Sequence, residues 1–449
     1  LNPVEATGSP YQSASAFAGN YLLISPEDLR DRGLLDAADL SAGFSCGRVE
    51  YDTTAAWKQS LLRAAYARFR KNPPSEEYNR FCSKAADWLE DFALFMALKE
   101  AHEGKTWTEW DKAAAKRRPG ALRRWRRELT DEIGFHRFVQ FIFFEQWQSL
   151  HRHANEKNIR IVGDLPIFVA HDSADVWAAP YLFSLNKYGK PRTKAGVPPD
   201  YFCRTGQLWG NPHYEWAAHA DEDYAWWTRR LRWLLRLVDA VRIDHFRGFE
   251  AFWEIPAHRK TAVSGHWVKG PGQKLFEALR RQLGNIPVLA EDLGVITPEV
   301  TRLKEAFFFP GMVVLPFSIW TEKDGAHLPA PEPNSFYYTG THDNDTLLGW
   351  LKVLRKSDCG LYDAVAAYAG ASPETSPRKL AMSLIATVLG SEARTAIVPL
   401  QDWLELGSDA RMNYPSTCIG NWCWRLGGDA LTPTLAERIR RMVRKTRRL

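Results

Sequence analysis

The 449-residue chain reads as an α/β protein built on a parallel sheet. Two observations carry this reading. From residue 159 onward, short apolar β-type runs alternate with helical stretches, the pattern of right-handed β-α-β units. Most of these runs also end in a polar or charged residue. That is a poor way to build a core and a good way to build a site, because α/β folds place chemistry at the carboxyl ends of their parallel strands.

Taken in order, residues 1–46 are rich in small residues and read as loops. Residues 54–156 read as almost wholly helical. Ala85, Leu89, Phe92, Ala93 and Met96 recur at helical spacing over 85–101, and Phe135, Phe138, Ile142 and Trp147 do so over 134–153. Pro119-Gly120 breaks the pattern between them. The β-type runs are 159–165, 238–244, 286–291, 312–317, 336–342 and 395–400, with helical candidates at 276–283 and 298–306. No fixed-period repeat interrupts this alternation.

Composition narrows the function classes. Hydrophobic residues at 45% and charged residues at 25% exclude a disordered chain. No run of eighteen apolar residues exists, so no membrane helix is expected, and residues 1–10 lack the pattern of a signal peptide. The six cysteines (46, 82, 203, 359, 418, 423) contain no C-x-x-C pair. That argues against a disulfide framework and a structural zinc, and for a reducing compartment. A net charge of +6 is too weak to imply nucleic acid, and the basic runs 116–127 and 438–448 read as solvated helix faces. There is no Walker loop and no dinucleotide fingerprint, so no cofactor is expected. The 19 Trp, 15 Tyr and 23 Phe admit two readings, a large aromatic core or flat plates for stacking on sugar faces.

The acids at the run ends are Asp164, Asp244, Glu291 and Asp343, the last beside His342. In R-I-D-H-F-R-G (242–248), side chains alternate faces, so Arg242 and Asp244 point the same way. Arg242 can hold Asp244 ionised, and an ionised, partly desolvated carboxylate is a competent nucleophile. A purely structural Asp–Arg pair is the other reading. In A-E-D-L-G (290–294), adjacent Glu291 and Asp292 must diverge. If Asp244, Glu291 and Asp343 share a pocket, at least one holds a proton near neutral pH. Retaining glycoside chemistry requires this: one carboxylate attacks the anomeric carbon, and a second, about 5–5.5 Å away, gives up its proton and then acts as base. Metal binding at His342, Asp343 and Asp345, or at His171, Asp172 and Asp175, rests on spacings common by chance, and no metal is expected. G-F-S-C-G (43–47) matches a nucleophile elbow but lacks the strand before it and the helix after it.

Several segments together resemble the 4-α-glucanotransferases of glycoside hydrolase family 77, also called amylomaltases or disproportionating enzymes. They are S-P-Y-Q-S-A-S-A-F-A-G-N (9–20), G-D-L-P-I-F-V (163–169), D-S-A-D-V-W (172–177), G-V-P-P-D-Y-F (196–202) and T-G-Q-L-W-G-N-P (205–212), then R-I-D-H-F-R-G, A-E-D-L-G, T-H-D-N-D-T (341–346) and R-M-N-Y-P-S-T (411–417). The resemblance spans nearly the whole chain, with the motifs in family order. It implies a (β/α)₈ TIM barrel that moves a glucan segment from one α-1,4-glucan to another, with malto-oligosaccharides, starch or glycogen as donor and acceptor. Carried over residue by residue, it makes Asp244 the nucleophile, Glu291 the general acid/base and Asp343 the transition-state stabiliser. Arg242 and His342 flank the cleaved bond, and Asp164 ends the third strand. Trp209, Gln207, Tyr201 and Phe202 belong to a loop covering the cleft. Tyr11 and Ser9 line the donor side, and Asn413 and Pro415 close the pocket.

The family pattern also sets the expected organisation. One catalytic barrel occupies 1–449, N-terminally truncated, with a first strand–helix–strand of about 40–60 residues absent. A helical insertion covers 54–130, and a long loop insertion between strands three and four covers 166–236. Ala6 falls near where relatives often carry an aromatic residue tied to a second glucan site, so that site is not expected. An α-glucan hydrolase of the same clan and a non-catalytic glucan-binding remnant are the alternatives. The expected location is the cytoplasm, as in bacteria, with a plastid left open. The oligomeric state is left open.

Overall fold

A strand falls on each of the six β-type runs and is shorter than the run, starting one residue ahead of it at Gly311 and Ser335. The computed structural model describes the chain apart from residues 5–7, 41–42, 45–46, 200–202, 323–324, 418 and 449. Its contacts divide it into two units. The first is Leu1–Phe44 with Tyr51–Val288, and the second is Ser45–Glu50 with Leu289–Leu449.

The first unit contains the expected helical stretch, with helices at Tyr51–Phe69, Glu76–Lys84, Ala86–Ala101, Lys112–Ala115, Pro119–Glu128 and Thr130–Glu156. Pro119 does not merely break a helix. It opens one, at a first-turn position where its missing N–H costs nothing. The Ala86–Ala101 helix buries Trp88, Leu89, Phe92, Leu94, Phe95 and Leu98 because helices 130–156 and 174–178 pack against it. Trp88 stands 5.2 Å from Trp233, 5.9 Å from Phe144 and 6.0 Å from Phe92 between ring centres. These rings bury large apolar areas in each other's company, so this part of the aromatic load is core. Segment 9–20 docks on the same layer. The Gln140 amide accepts from the Gly19 N–H (2.7 Å) and donates to the Gly19 carbonyl (3.0 Å). A β-carbon at Gly19 would come within 1.9 Å of the Phe143 ring, so only glycine allows this approach.

Among the described residues of this unit the strands are β1 (Val162–Leu165), β2 (Thr193–Val197), β3 (Gln207–Pro212), β4 (Ala240–Ile243), β5 (Ala251–Pro256) and β6 (His266–Lys269). β1 and β4 pair in parallel, with Asp164 opposite Arg242 and Leu165 opposite Ile243. The Val241 N–H donates to the Pro287 carbonyl, just ahead of β7 (Val288–Ala290), where the chain passes from one unit to the other. β3, β2, β5 and β6 form, in that order, an antiparallel sheet. The stretch expected as a long loop insertion, 166–236, therefore contains two strands of a sheet.

In the second unit, β8 (Gly311–Val314), a hairpin of β9 (Trp320–Glu322) and β10 (Gly325–His327), β11 (Ser335–Tyr338) and β12 (Thr395–Ile397) follow. β11 lies between β8 and β12, parallel to both. Pro316 and Pro399 lack the N–H a ladder needs, and the runs expected to reach 317 and 400 stop at Val314 and Ile397. The run expected to reach His342 stops at Tyr338. Beyond it the Asn344 side chain accepts from the Thr341 N–H (2.6 Å) and hydroxyl (3.1 Å), curling 340–346 into a loop. Helices Leu347–Ser357, Cys359–Tyr368 and Pro377–Leu389 cover this sheet and bury Leu347, Leu351, Tyr362, Val365, Leu380, Leu384, Ile385 and Val388 with Tyr337. The basic tail is partly structural: the Arg448 guanidinium donates to the carbonyls of Leu389, Ser391 and Ala393. No helix among the described residues is long and apolar enough to cross a membrane.

Candidate active site

In the first unit, strand pairing brings three of the expected residues together. Because Asp164 sits opposite Arg242, and Arg242 shares a face with Asp244, one guanidinium bridges two carboxylates. Arg242 Nη1 lies 2.7 Å from Asp164 Oδ1, and Nη2 lies 3.0 Å from Asp244 Oδ1. Tyr11 Oη donates to Asp164 Oδ2 at 2.7 Å. Ser9 sets the turn before it, its hydroxyl accepting from the Tyr11 N–H at 3.3 Å. Asp244 follows β4 directly, and its N–H donates to the Leu165 carbonyl at 3.0 Å. Arg242 is largely shielded from solvent and the two carboxylates are half-buried, so the charges interact with less screening than surface pairs.

The next residue, His245, takes a left-handed conformation (φ 52°) and turns the chain into a 3₁₀ turn, Phe246–Phe249. Burial, aided by the nearby Arg247 charge, pushes its imidazole pKa down to about 3, so it is neutral at physiological pH. Its ring meets Trp209 edge-to-face at 4.9 Å. Trp209 Nε1 donates to Gln207 Oε1 at 3.1 Å. Gln207 and Trp209 were expected on a covering loop. They lie instead on β3, held in the antiparallel sheet, with Gln207 opposite Val197 on β2. Tyr201 and Phe202, expected beside them, lie outside the described residues.

In the second unit, Glu291 follows β7 directly and accepts from the Leu293 N–H at 3.0 Å. Asp292 diverges from it as alternation requires, receiving Lys304 Nζ and the Met312 N–H, each at 2.7 Å. His342 and Asp343 stand in the loop after β11. Asp343 Oδ2 lies 3.2 Å from His342 Nε2, and its Oδ1 accepts from Asn413 Nδ2 at 2.7 Å. The Asn413 N–H donates to the His342 carbonyl at 3.0 Å, so two segments seventy residues apart are tied by main chain and side chain. Pro415 is exposed two residues farther on.

Two residues here carry no local sequence signal. Trp422 packs its ring 5.2 Å from His342. Asp402, 2% exposed, accepts from the Thr339 hydroxyl (2.7 Å) and the Leu347 N–H (2.8 Å), pinning both ends of the His342–Asp343 loop. Burial pushes the Asp402 carboxyl pKa up to about 6.

In the alternative metal set at 171–175, each side chain has a protein partner. His171 Nε2 meets the Gly189 carbonyl, Asp172 pairs with Lys99, and Asp175 receives the Ala16 N–H. Among the described residues, one group has metal-like spacing: Glu100, Glu132 and His136. Arg63 lies 2.9 Å from Glu100 and 2.6 Å from Glu132, so this group already has its own cation. Ser45 and Cys46 of the G-F-S-C-G segment lie outside the described residues.

The chain is 47% identical over 455 residues to a 4-alpha-glucanotransferase of Thermus thermophilus, covering 100% of this chain and 90% of the relative. It is 46% identical over 445 residues to one of Synechocystis sp., covering 97% and 87%. In structure it matches an amylomaltase from Streptococcus agalactiae, solved in complex with acarbose. The TM-score is 0.94 at 34% identity, covering 100% of this chain and 90% of the other. The sequence profile described as 4-alpha-glucanotransferase matches residues 1–431, and the chain belongs to that family.

Proposed function

We propose that this chain transfers a segment of an α-1,4-glucan to the 4-hydroxyl of another glucan or of glucose, by a retaining double displacement. The observation that carries the reading is the bridge in which Arg242 holds Asp164 and Asp244 at neighbouring strand ends, in a chain of this family. Asp244 attacks the anomeric carbon, and Glu291 protonates the departing oxygen. The bond from sugar to leaving glucan breaks as the bond to Asp244 forms. Glu291 then takes the proton of an incoming 4-hydroxyl, whose oxygen displaces Asp244 and restores the original configuration. Asp343 holds hydroxyls of the donor sugar, Arg242 and His342 flank the cleaved bond, Tyr11 and Ser9 line the donor side, and Asn413 and Pro415 close the pocket. Trp209 offers an apolar face on which a sugar can stack, and excluding water from the intermediate favours transfer over hydrolysis.

The fold we read for this chemistry is a (β/α)₈ barrel, with a helical insertion at 54–130 and a second insertion at 166–236 carrying Trp209. Malto-oligosaccharides, starch or glycogen are the substrate class, supported by the family and by the acarbose bound to the Streptococcus agalactiae amylomaltase. The bacterial relatives support a cytoplasmic setting.

Incubation with maltotriose tests the reading. Transfer yields glucose and glucans longer than the substrate, whereas a hydrolase yields shorter products alone. Asp244→Asn keeps the shape and removes the nucleophile, so turnover should fall by about 10³-fold or more while glucan binding persists. Equal turnover in variant and parent removes Asp244 from the role. Binding without products in the parent would mark a glucan-binding protein.

A further inference from the structure

We infer that Arg411 is a positioning residue for the reaction, holding the Asp343–Asn413 pair in register through their main chains. The inference rests on the transferase reading above. Arg411 was not among the residues the sequence singled out, although it opens R-M-N-Y-P-S-T. Its Nη2 donates to the carbonyl of Asp343 at 2.7 Å, and its Nε donates to the carbonyl of Asn413 at 2.7 Å. One planar group therefore spans the two residues whose side chains bond to each other at 2.7 Å.

The chemistry of Arg411 supports a geometric role. Among the described residues no acid pairs with it, so its charge is set against carbonyl dipoles instead of a carboxylate. Its guanidinium lies 4.2 Å from the centre of the Tyr414 ring, which fixes the plane of the fork. Asp343 sits in a loop with no strand ladder behind it. Its side-chain direction depends on such fastenings: the Asn413 amide on the carboxylate, the Asn413 N–H on the His342 carbonyl, and Arg411 on both backbones. Removing Arg411 takes away two charge-assisted bonds and leaves two carbonyls to find water. Asp343 then samples orientations in which it does not meet the donor sugar. A displacement of about 1 Å at such a group costs on the order of 100-fold in rate.

The experiment is steady-state transfer from maltotriose by the full chain, for Arg411→Gln, Arg411→Lys, Asn413→Ala and the double variant Arg411→Gln/Asn413→Ala. Arg411→Gln should lower kcat about 10- to 100-fold with a smaller change in KM. Arg411→Lys, which keeps the charge and loses the fork, should recover only part of that loss. The double variant should lose less than the product of the single losses, because Arg411 acts through the partner that Asn413→Ala removes. Unchanged kcat in Arg411→Gln, or single losses that multiply in the double variant, overturns the inference. If Arg411→Gln does not fold, as read by its urea midpoint, Arg411→Lys decides: full parental kcat in that variant also overturns it. A parent chain that makes no longer glucans from maltotriose sinks the transferase reading instead, so the two failures are told apart.

Discussion

Asp244 takes its ion-pair partner from two residues back. Period-two alternation puts Arg242 and Asp244 on one face, and the parallel register adds Asp164 opposite Arg242. The Arg242–Asp244 pair is therefore legible in seven consecutive letters. Asp402 is not. It lies nearly sixty residues beyond the loop it pins, and no local pattern announces it. Its burial has a measurable consequence. A carboxyl whose folded pKa stands at about 6, above its usual value, favours the folded state while protonated. That contribution is lost as pH rises from about 4 through 6. Asp402→Asn keeps an acceptor for Leu347, can donate to the Thr339 oxygen and does not titrate. It should raise stability at pH 8 by on the order of 2 kcal/mol, and change it little at pH 4. Urea midpoints at the two pH values check this, and an equal change at both would contradict it.

At the scale of elements, β2 and β3 show what the sequence conceals. The six parallel runs announce themselves because their interiors are apolar, whereas Thr193-Lys194-Ala195-Gly196-Val197 has no such run. It becomes a strand because β3 and β5 pair on either side of it. The approach is close at Gly196, where a β-carbon would lie 2.1 Å from the Gln207 carbonyl oxygen. Gly196→Ala must push β3 away from β2, and Gln207 and Trp209 move with it. We expect a stability loss of about 1–3 kcal/mol, as for other overpacked sites. We also expect a rise in KM for maltotriose, because the proposed stacking of a sugar on Trp209 depends on the place of that ring. Parental KM in a folded Gly196→Ala protein would uncouple the strand from the site. The same reasoning explains the other differences from sequence. Strand ends move inward at Pro316 and Pro399, which lack a ladder N–H, and the His342 segment leaves its ladder through the local Thr341–Asn344 bonds and a distant one from Asn413 that no local window contains.

Over the whole chain, two sets of buried groups act on stability in opposite directions. His213 and His219 have pKa values pushed down to about 4 by burial, and His245 to about 3. All three are neutral when folded, so stability is present above the ordinary histidine value of about 6.5 and is lost as pH falls from there toward 4. Asp175 and Asp402, pushed up to about 6 by burial, do the reverse between about 4 and 6. Near pH 5 the unfolded chain takes up about three protons at the histidines, and the folded chain already holds about two at the carboxyls. For these five groups the net is an uptake of about one proton on unfolding. These five groups together contribute a fall in stability on acidification of roughly 1.4 kcal/mol per pH unit, and the lowered values of His171, Glu100, Asp111 and Asp239 add to it in the same direction. His219→Gln removes one proton from the histidine set and should lessen the fall between pH 6 and pH 5 by about 1 kcal/mol relative to the parent. Its packing cost among Tyr214, Trp216 and Trp226 is the same at both pH values, so it drops out of the comparison. The measurement is the difference in urea unfolding free energy between pH 6 and pH 5. If that difference is as large in His219→Gln as in the parent, His219 is not held neutral by its burial.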